Sequence, residues 1–279
     1  MTSFNICLVK PDQYIHSFAF LELGELLYFS LKELGFKVAL QFNEIAPHEQ
    51  NIVIGFHLLA PQAQSQLPKS TIILNTEQVH SDQSSWNETI MNGARHFKLW
   101  DYSQKNIEKF HSMGIQGVKY LKLGFQKELA RLDRTQPKSI DVLFYGSVNE
   151  RRRDILKKLE AHGVKLKVLL NVYGKQRDHW IERSKMVINL HHYNSHIFEI
   201  VRVFYLLTNA VAVVSEVNES TSIDENYKAG IKGVPYEALI ENCMAVINKP
   251  SLLQALQNAA FTCIQKYPQK YWTEEVLSS

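Results

Sequence analysis

The sequence is poor in the features that mark secreted, membrane-spanning or broadly nucleic-acid-binding proteins. Only three of its 279 residues are cysteine, and Cys7, Cys243 and Cys263 are far apart. An odd number in no paired spacing implies neither a disulfide framework nor a zinc motif, so all three are assigned to packing. Thirty-one Lys and Arg stand against 28 Asp and Glu, a net charge of only +3. A protein that follows a phosphate backbone carries a larger excess or a basic face, so nucleic acid is not an expected partner. No run approaches the roughly 18 apolar residues of a membrane span, and Met1-Thr2-Ser3-Phe4-Asn5 has no basic leader. The expectation is a cytoplasmic protein without a membrane span, with peripheral membrane association left open. Gly-x-Gly-x-x-Gly is missing after the first strand, which counts against a dinucleotide oxidoreductase, and neither a Walker Gly-Lys-Ser/Thr nor a Gly-x-Ser-x-Gly elbow occurs.

What is present is an alternation of short β-rich runs and amphipathic helical stretches. Residues 4–9 read as a strand buried on both faces, and residues 17–34 carry an apolar stripe closed by Gly35, which together make a βα unit. Gly24 inside that helix costs it roughly 1 kcal/mol relative to Ala, so close packing against the sheet is its expected reason. Strands follow at 37–42, 51–55 and 71–75, then a helix at 103–113. Residues 131–139 are polar, contain Pro137 and show neither period, which marks a linker. Beyond it, strands at 140–145, 165–170, 186–190 and 210–215 alternate with helices at 152–162, 178–184 and 198–207. Helices at 236–247 and 251–267 complete the chain. The expected fold is therefore α/β, with two facing doubly wound, Rossmann-like domains. Residues 1–130 form the first, 131–139 the linker and 140–262 the second, while 263–279 form a helix able to return to the first. Ligands of such sheets bind at the carboxyl ends of the strands.

Candidate chemistry clusters at those strand ends. Asp141-Val142-Leu143-Phe144-Tyr145 runs into Gly146-Ser147, then into Arg151-Arg152-Arg153. A strand-end glycine admits a ligand to the backbone, and the helix N-terminus and arginines favour a diphosphate. The competing reading is a solvated basic turn. The strand ending in Asn189-Leu190 meets His191-His192 and a helix on which Glu199 and Arg202 share a face. Those two either pair with each other or meet a polar ligand. His191, His192 and His196 lack the companion ligands of a metal site, so no metal is expected. In the first half, His16 follows the first strand and serves either as a general base or as a helix cap. His57, Glu77 and Gln78 end neighbouring strands and are acceptor-side candidates. Trp86, Trp100 and Tyr102 either stack on a sugar or fill the core.

Four stretches carry a family likeness. They are Tyr14-Ile15-His16-Ser17, Trp100-Asp101-Tyr102-Ser103 with Asn106, Asp141 to Arg153, and Tyr173-Gly174-Lys175-Gln176-Arg177-Asp178 running on through Glu199 and Arg202 to Val213-Val214-Ser215-Glu216. In these the chain resembles glycosyltransferases of the GT-B architecture, in particular the small bacterial group 1 and CgeB-like proteins. The resemblance implies a second domain that holds a nucleotide-sugar donor and a first domain that presents a saccharide or other hydroxyl acceptor. Gly146, Ser147, Arg152, Tyr173, Gly174, His192, Glu199 and Arg202 would bind the donor, with His16 and Glu199 as catalytic groups. Arg152 occupies the position of the family's diphosphate-binding basic residue. The family pattern has two glutamates eight apart, whereas here Leu207 follows Glu199 at that spacing, which leaves the retaining mechanism and the role of Glu199 open. No Asp-x-Asp motif is present, so the transfer is expected to need no metal and no cofactor beyond the nucleotide-sugar co-substrate. The alternative function is a non-catalytic nucleotide-sugar-binding module, or a subunit that needs a partner.

Overall fold

In the computed structural model, residues 2–79, 86–193 and 197–278 are described. The chain divides into two compact units, Met1–Gln126 with Gln269–Ser279, and Lys127–Pro268. Each is built on one wholly parallel sheet.

The first unit contains β1 (Ser3–Leu8), α1 (Leu21–Glu33), β2 (Lys37–Phe42), β3 (Gln50–Ile54), α2 (Pro61–Ser65), β4 (Ile72–Asn75), α3 (Asn87–His96), β5 (Lys98–Asp101), α4 (Gln104–Ser112) and β6 (Lys119–Tyr120). Its strands lie in the order β2-β1-β3-β4-β5-β6. The order runs outward from β1 to β2 on one side and from β3 to β6 on the other, so it reverses between β1 and β3. Every residue of β4 is buried, as is most of β1 and β3, which is why these runs are continuously apolar. A Cβ on Gly24 would lie 3.1 Å from the Leu40 side chain and 3.3 Å from that of Leu8. The glycine thus lets α1 approach the sheet, as its place in the helix suggested.

The second unit contains β7 (Ile140–Tyr145), α5 (Glu150–Ala161), β8 (Leu166–Leu169), α6 (Gly174–Glu182), β9 (Ser184–Asn189), α7 (Ile200–Thr208), β10 (Ala212–Glu216), α8 (Glu225–Lys228), β11 (Lys232–Val234), α9 (Leu239–Asn248) and α10 (Pro250–Gln265). Its sheet order is β11-β10-β9-β7-β8, so this sheet reverses between β7 and β9. The core joins Val142, Phe144, Met186, Ile188 and Val214 of the strands to Ile155, Leu159, Leu239 and Val246 of the helices.

Two boundaries differ from the sequence expectation. Residues 131–139 belong to the second unit, because the Arg131 and Leu132 N–H groups both donate to Asn209 Oδ1 at 2.8 and 2.9 Å, and the Asp133 N–H donates to Glu182 at 3.0 Å. The returning segment begins at Gln269 rather than 263, since residues 250–265 form one helix whose Ala260, Cys263 and Ile264 are buried in the second unit. From Gln269 onward a last helix, α11 (Gln269–Ser278), packs on the first unit. There the Gln269 side chain accepts from the Gly124 N–H at 2.6 Å, and Thr273 Oγ1 meets Ser30 Oγ of α1 at 2.9 Å. All three cysteines are buried and free. Among the described residues no helix is long and apolar enough to cross a membrane.

Candidate functional site

The carboxyl ends of β7 and β9 flank the point where the second sheet reverses, and this is where ligand crevices of open α/β sheets form. The chain leaves β7 through Gly146, whose φ of +124° is open to glycine and strained for any other residue. Asn149 then caps α5, its Oδ1 accepting from the Arg152 N–H at 3.0 Å, while its Nδ2 donates to the His192 carbonyl at 2.8 Å. One side chain thus starts the helix and ties it to the loop after β9.

The three arginines separate into three environments. Arg153 is exposed. Arg151 is paired with the fully buried Glu216 at the end of β10, through both guanidinium Nη groups. Arg152 is only 3% exposed, with Nε and Nη2 donating to the Leu190 carbonyl at 3.1 and 2.5 Å and Nη1 donating to the Ser147 carbonyl at 2.8 Å. Burial, then the like charge of Arg202, push its pKa down to about 10, so it stays cationic at neutral pH. The solvated-turn reading therefore applies to Arg153 alone.

Glu199 and Arg202 are joined through Asn189. Arg202 Nη1 donates to Asn189 Oδ1 at 2.6 Å, and Asn189 Nδ2 donates to Glu199 Oε2 at 2.9 Å. Glu199 also meets His191 Nδ1 at 3.2 Å and Arg152 Nη2 at 3.5 Å. Burial pushes its carboxyl upward, but the His191 hydrogen bond and the positive charges of Arg202 and Arg152 outweigh it and hold Glu199 below the usual carboxylate range. Glu199 is accordingly ionised. Arg202 lies over Phe144 and Tyr145, and its buried Nε has no hydrogen-bond partner among the described residues. Its Nη2 stands 2.8 Å from where a Cβ on residue 146 would be, and Arg152 Nη1 stands 3.9 Å from the same point. Two guanidinium groups therefore converge on the bare face of Gly146, next to the α5 N-terminus.

Of the other expected donor residues, Ser147 and His192 adjoin this centre, while Tyr173 and Gly174 follow β8, the strand beside β7. Ser147 has an exposed side chain and gives Arg152 its carbonyl. His192 is half-buried against Tyr193, and burial, with Arg152 nearby, lowers its pKa and keeps it neutral. Tyr173 and Gly174 begin α6, where Gly174 has φ +53°. Among the described residues no group of three or more His, Cys, Asp and Glu is arranged to hold a metal ion, and His196 lies outside those residues. Asn149, Asn189 and Leu190 were not site candidates from sequence, and Glu216 entered only as the end of a stretch carrying the family likeness, with no role assigned. A glutamate closing the fully buried strand Ala212–Glu216 was the available signal for the last of these.

In the first unit the sheet reverses between β1 and β3, and His16 and His57 follow those strands. His16 is exposed in the turn Ile15–Phe20, its ring 5.1 Å from that of Tyr14. The helix-cap position belongs to Tyr14. His57 is buried, with Nε2 3.5 Å from Glu77 Oε1. That is ion-pair spacing, yet burial pushes His57 down to about 4 and Glu77 up to about 7, so both lean toward their neutral forms. Trp86 lies against the His57 ring, whereas Trp100 is in the core. Gln78 is half-buried beside Glu77. The 75–79 segment is held by fully buried Asp101, which accepts from Asn75 Nδ2 at 2.7 Å and Asn106 Nδ2 at 3.0 Å. Both asparagines also donate to the Glu77 carbonyl, and Tyr102 donates to the Thr76 carbonyl.

No family model matches the sequence. It is 30% identical over 183 residues to uncharacterized protein L140 of Acanthamoeba polyphaga mimivirus, covering 63% of this chain and 59% of that one. With uncharacterized protein L137 of the same virus it shares 31% over 156 residues, 53% of this chain and 21% of the other. The chain thus spans less than two thirds of the length of these relatives. Among solved structures it is similar to Anabaena Alr3699/HepE in complex with UDP and glucose, with TM-score 0.63, 11% identity and coverage of 100% and 99%. The T4 phage BGT complex with its UDP-glucose substrate gives TM-score 0.59, 12% identity and coverage of 99% and 98%. TarM gives TM-score 0.60 at 10% identity over 91% of this chain and 57% of the other. At such identities the likeness is one of fold, and the chain has the GT-B fold of glycosyltransferases.

Proposed function

We propose that the protein is a glycosyltransferase that moves a sugar from a nucleoside diphosphate to an acceptor hydroxyl. The observation that carries this reading is the convergence of Arg202 and Arg152 on Gly146 beside the capped N-terminus of α5. Guanidinium donors beside a helix N-terminus suit the diphosphate, and the missing side chain at 146 leaves room for the Arg202 guanidinium to stand at that turn. Solved structures of this fold include complexes described with UDP-glucose and with UDP and glucose, which supports a uridine nucleotide as the first donor to try.

In the reaction the bond between the anomeric carbon and the diphosphate oxygen breaks as the acceptor oxygen bonds to that carbon. Arg202 and Arg152 stabilise the charge that develops on the leaving diphosphate. Glu199, ionised and fixed by His191 and Asn189, holds Arg152 and offers its remaining lone pairs to donor hydroxyls. Ser147, Tyr173, Gly174 and His192 complete the donor side. His57, Glu77 and Gln78 of the first unit remain the acceptor-side candidates, with His16 or Glu77, whose pKa near 7 suits the task, as the candidate base for an acceptor hydroxyl. Because two arginines and a helix terminus carry the leaving-group charge, we infer that transfer needs no metal. One related structure, T4 phage BGT, is described with UDP and Mn2+, so chelator and added Mn2+ belong in the assay.

The experiment is release of nucleoside diphosphate from UDP-glucose, GDP-mannose and ADP-glucose, with and without EDTA. Release that persists in EDTA and is lost in Arg202→Ala supports the enzyme. Tight donor binding with no release in the presence of diverse saccharides favours the binding-module alternative.

A further inference from the structure

The peptide linking Leu190 to His191 is gripped on both sides. Its carbonyl accepts from Arg152 Nε and Nη2, at 3.1 and 2.5 Å. Its N–H donates to Glu216 Oε2 at 3.1 Å. Glu216 in turn takes both Nη groups of Arg151, the residue next to Arg152 in the first turn of α5. The contacts close a ring that runs from Arg151 through Glu216 and the 190–191 peptide to Arg152. Two side contacts hold it rigid: Asn218 Nδ2 donates to Glu216 Oε1 at 2.8 Å, and the Tyr236 ring lies 4.0 Å under the Arg151 guanidinium while its hydroxyl donates to the Arg151 carbonyl at 2.8 Å.

Glu216 has no exposed surface. A carboxylate so placed is tolerated only because charged and neutral donors saturate it. Arg151 is committed to that pairing and so is withheld from an anion at Gly146, while Arg152, anchored to the peptide that Glu216 fixes, keeps one Nη1 edge toward it. We propose that Glu216 is a positioning residue of the diphosphate site: it locks Arg151 and the Leu190–His191 peptide into one ring and thereby sets where the Arg152 guanidinium stands. The proposal rests on the donor reading above, and it concerns a residue that would touch no part of the donor's phosphates.

The test measures UDP affinity by calorimetry at a temperature where every variant is folded, together with the ligand-free melting temperature. Glu216→Gln and Arg151→Gln should each weaken UDP binding about tenfold, because the first takes the carboxylate from the half-buried Arg151 guanidinium, the second leaves the buried Glu216 carboxylate without its cation, and both free the ring. The double variant, with no lone charge, should bind closer to wild type than either single one, the non-additivity expected of residues acting as a unit. Should a single variant fail to fold, Asn218→Ala removes one donor to Glu216 and should weaken binding about twofold to threefold. UDP affinity that is unchanged or tighter in the folded variants, even with a lowered melting temperature, overturns the positioning role and leaves Glu216 a stability element. Additive losses in the double variant overturn the ring. A wild-type protein that binds none of UDP, GDP and ADP overturns the donor reading and the proposal with it.

Discussion

A side chain at position 146 and the guanidinium of Arg202 cannot both occupy the space they share, since a Cβ there falls 2.8 Å from Arg202 Nη2. The φ of +124° adds backbone strain to the collision. Gly146→Ala should therefore displace Arg202 and weaken nucleotide binding about tenfold or more, with a destabilisation of ~1–3 kcal/mol. Calorimetry with UDP, alongside thermal unfolding, measures both.

Arg152 and Arg202 should separate in their effects. Arg152 satisfies two carbonyls and faces Glu199 from a buried position, so Arg152→Ala should cost ~3–5 kcal/mol by leaving that carboxylate short of a partner. Among the described residues Arg202 makes one hydrogen bond, to Asn189, and it is less buried, so Arg202→Ala should cost less stability while removing most UDP affinity. Equal losses of melting temperature in the two variants would contradict this division.

Much of the site was legible because strand ends punctuate the sequence. The buried run 140–145 ending in glycine pointed to the turn beside which Arg152 and Arg202 stand, and the spacing of Glu199 and Arg202 on an apolar helix marked the facing loop. What could not be read was the intermediary. Asn189 stands between Glu199 and Arg202, and Glu216 neutralises Arg151, because β9 and β10 are neighbours in the sheet although 26 residues separate Asn189 from Ser215 in their shared hydrogen bond. Long-range register of that kind leaves no periodic trace. The strands β5, β6 and β11 were missed for a related reason, being only two to four residues long and defined by pairing rather than by pattern. The polar segment 131–139 read as a linker because its composition is that of a loop, while its backbone groups are satisfied by Asn209 and Glu182.

Asp101 should be intolerant of its nearest isostere. It accepts from Asn75, Asn106 and the Ser103 N–H, so an amide in its place would set donor against donor inside the sheet. Asp101→Asn should cost ~2–4 kcal/mol, from one or more buried donors left unmatched. Chemical denaturation checks the value, and loss of order in the 75–79 segment should appear as faster amide exchange there.

Glu77 gives a pH dependence of definite sign. Burial raises its pKa from 4.5 to about 7, so the folded state binds its proton more tightly than the unfolded chain. The Glu77 contribution to stability must then fall as pH rises from about 4.5 to 7 and level off above that window, by at most ~3 kcal/mol. His57, 3.5 Å away and lowered to about 4, contributes in the opposite direction between about 4 and 6.5, because the unfolded imidazole is protonated there, so the Glu77 slope is read from the difference between wild type and a Glu77 variant. Glu77→Gln should remove this slope, making the variant relatively more stable at pH 8 than at pH 5. A wild-type minus variant difference that is flat between those values would refute the shift.

Gly146, Arg152 and Arg202 are proposed to form a diphosphate site. The most direct measurement is calorimetric titration of the wild-type protein and Arg202→Ala with UDP and with uridine. Expected is UDP binding at least about tenfold tighter than uridine in the wild type, a gap of about 1.4 kcal/mol that comes from the phosphates and closes in the variant. UDP, GDP and ADP that bind no better than their nucleosides, or a gap that survives removal of Arg202, would contradict it.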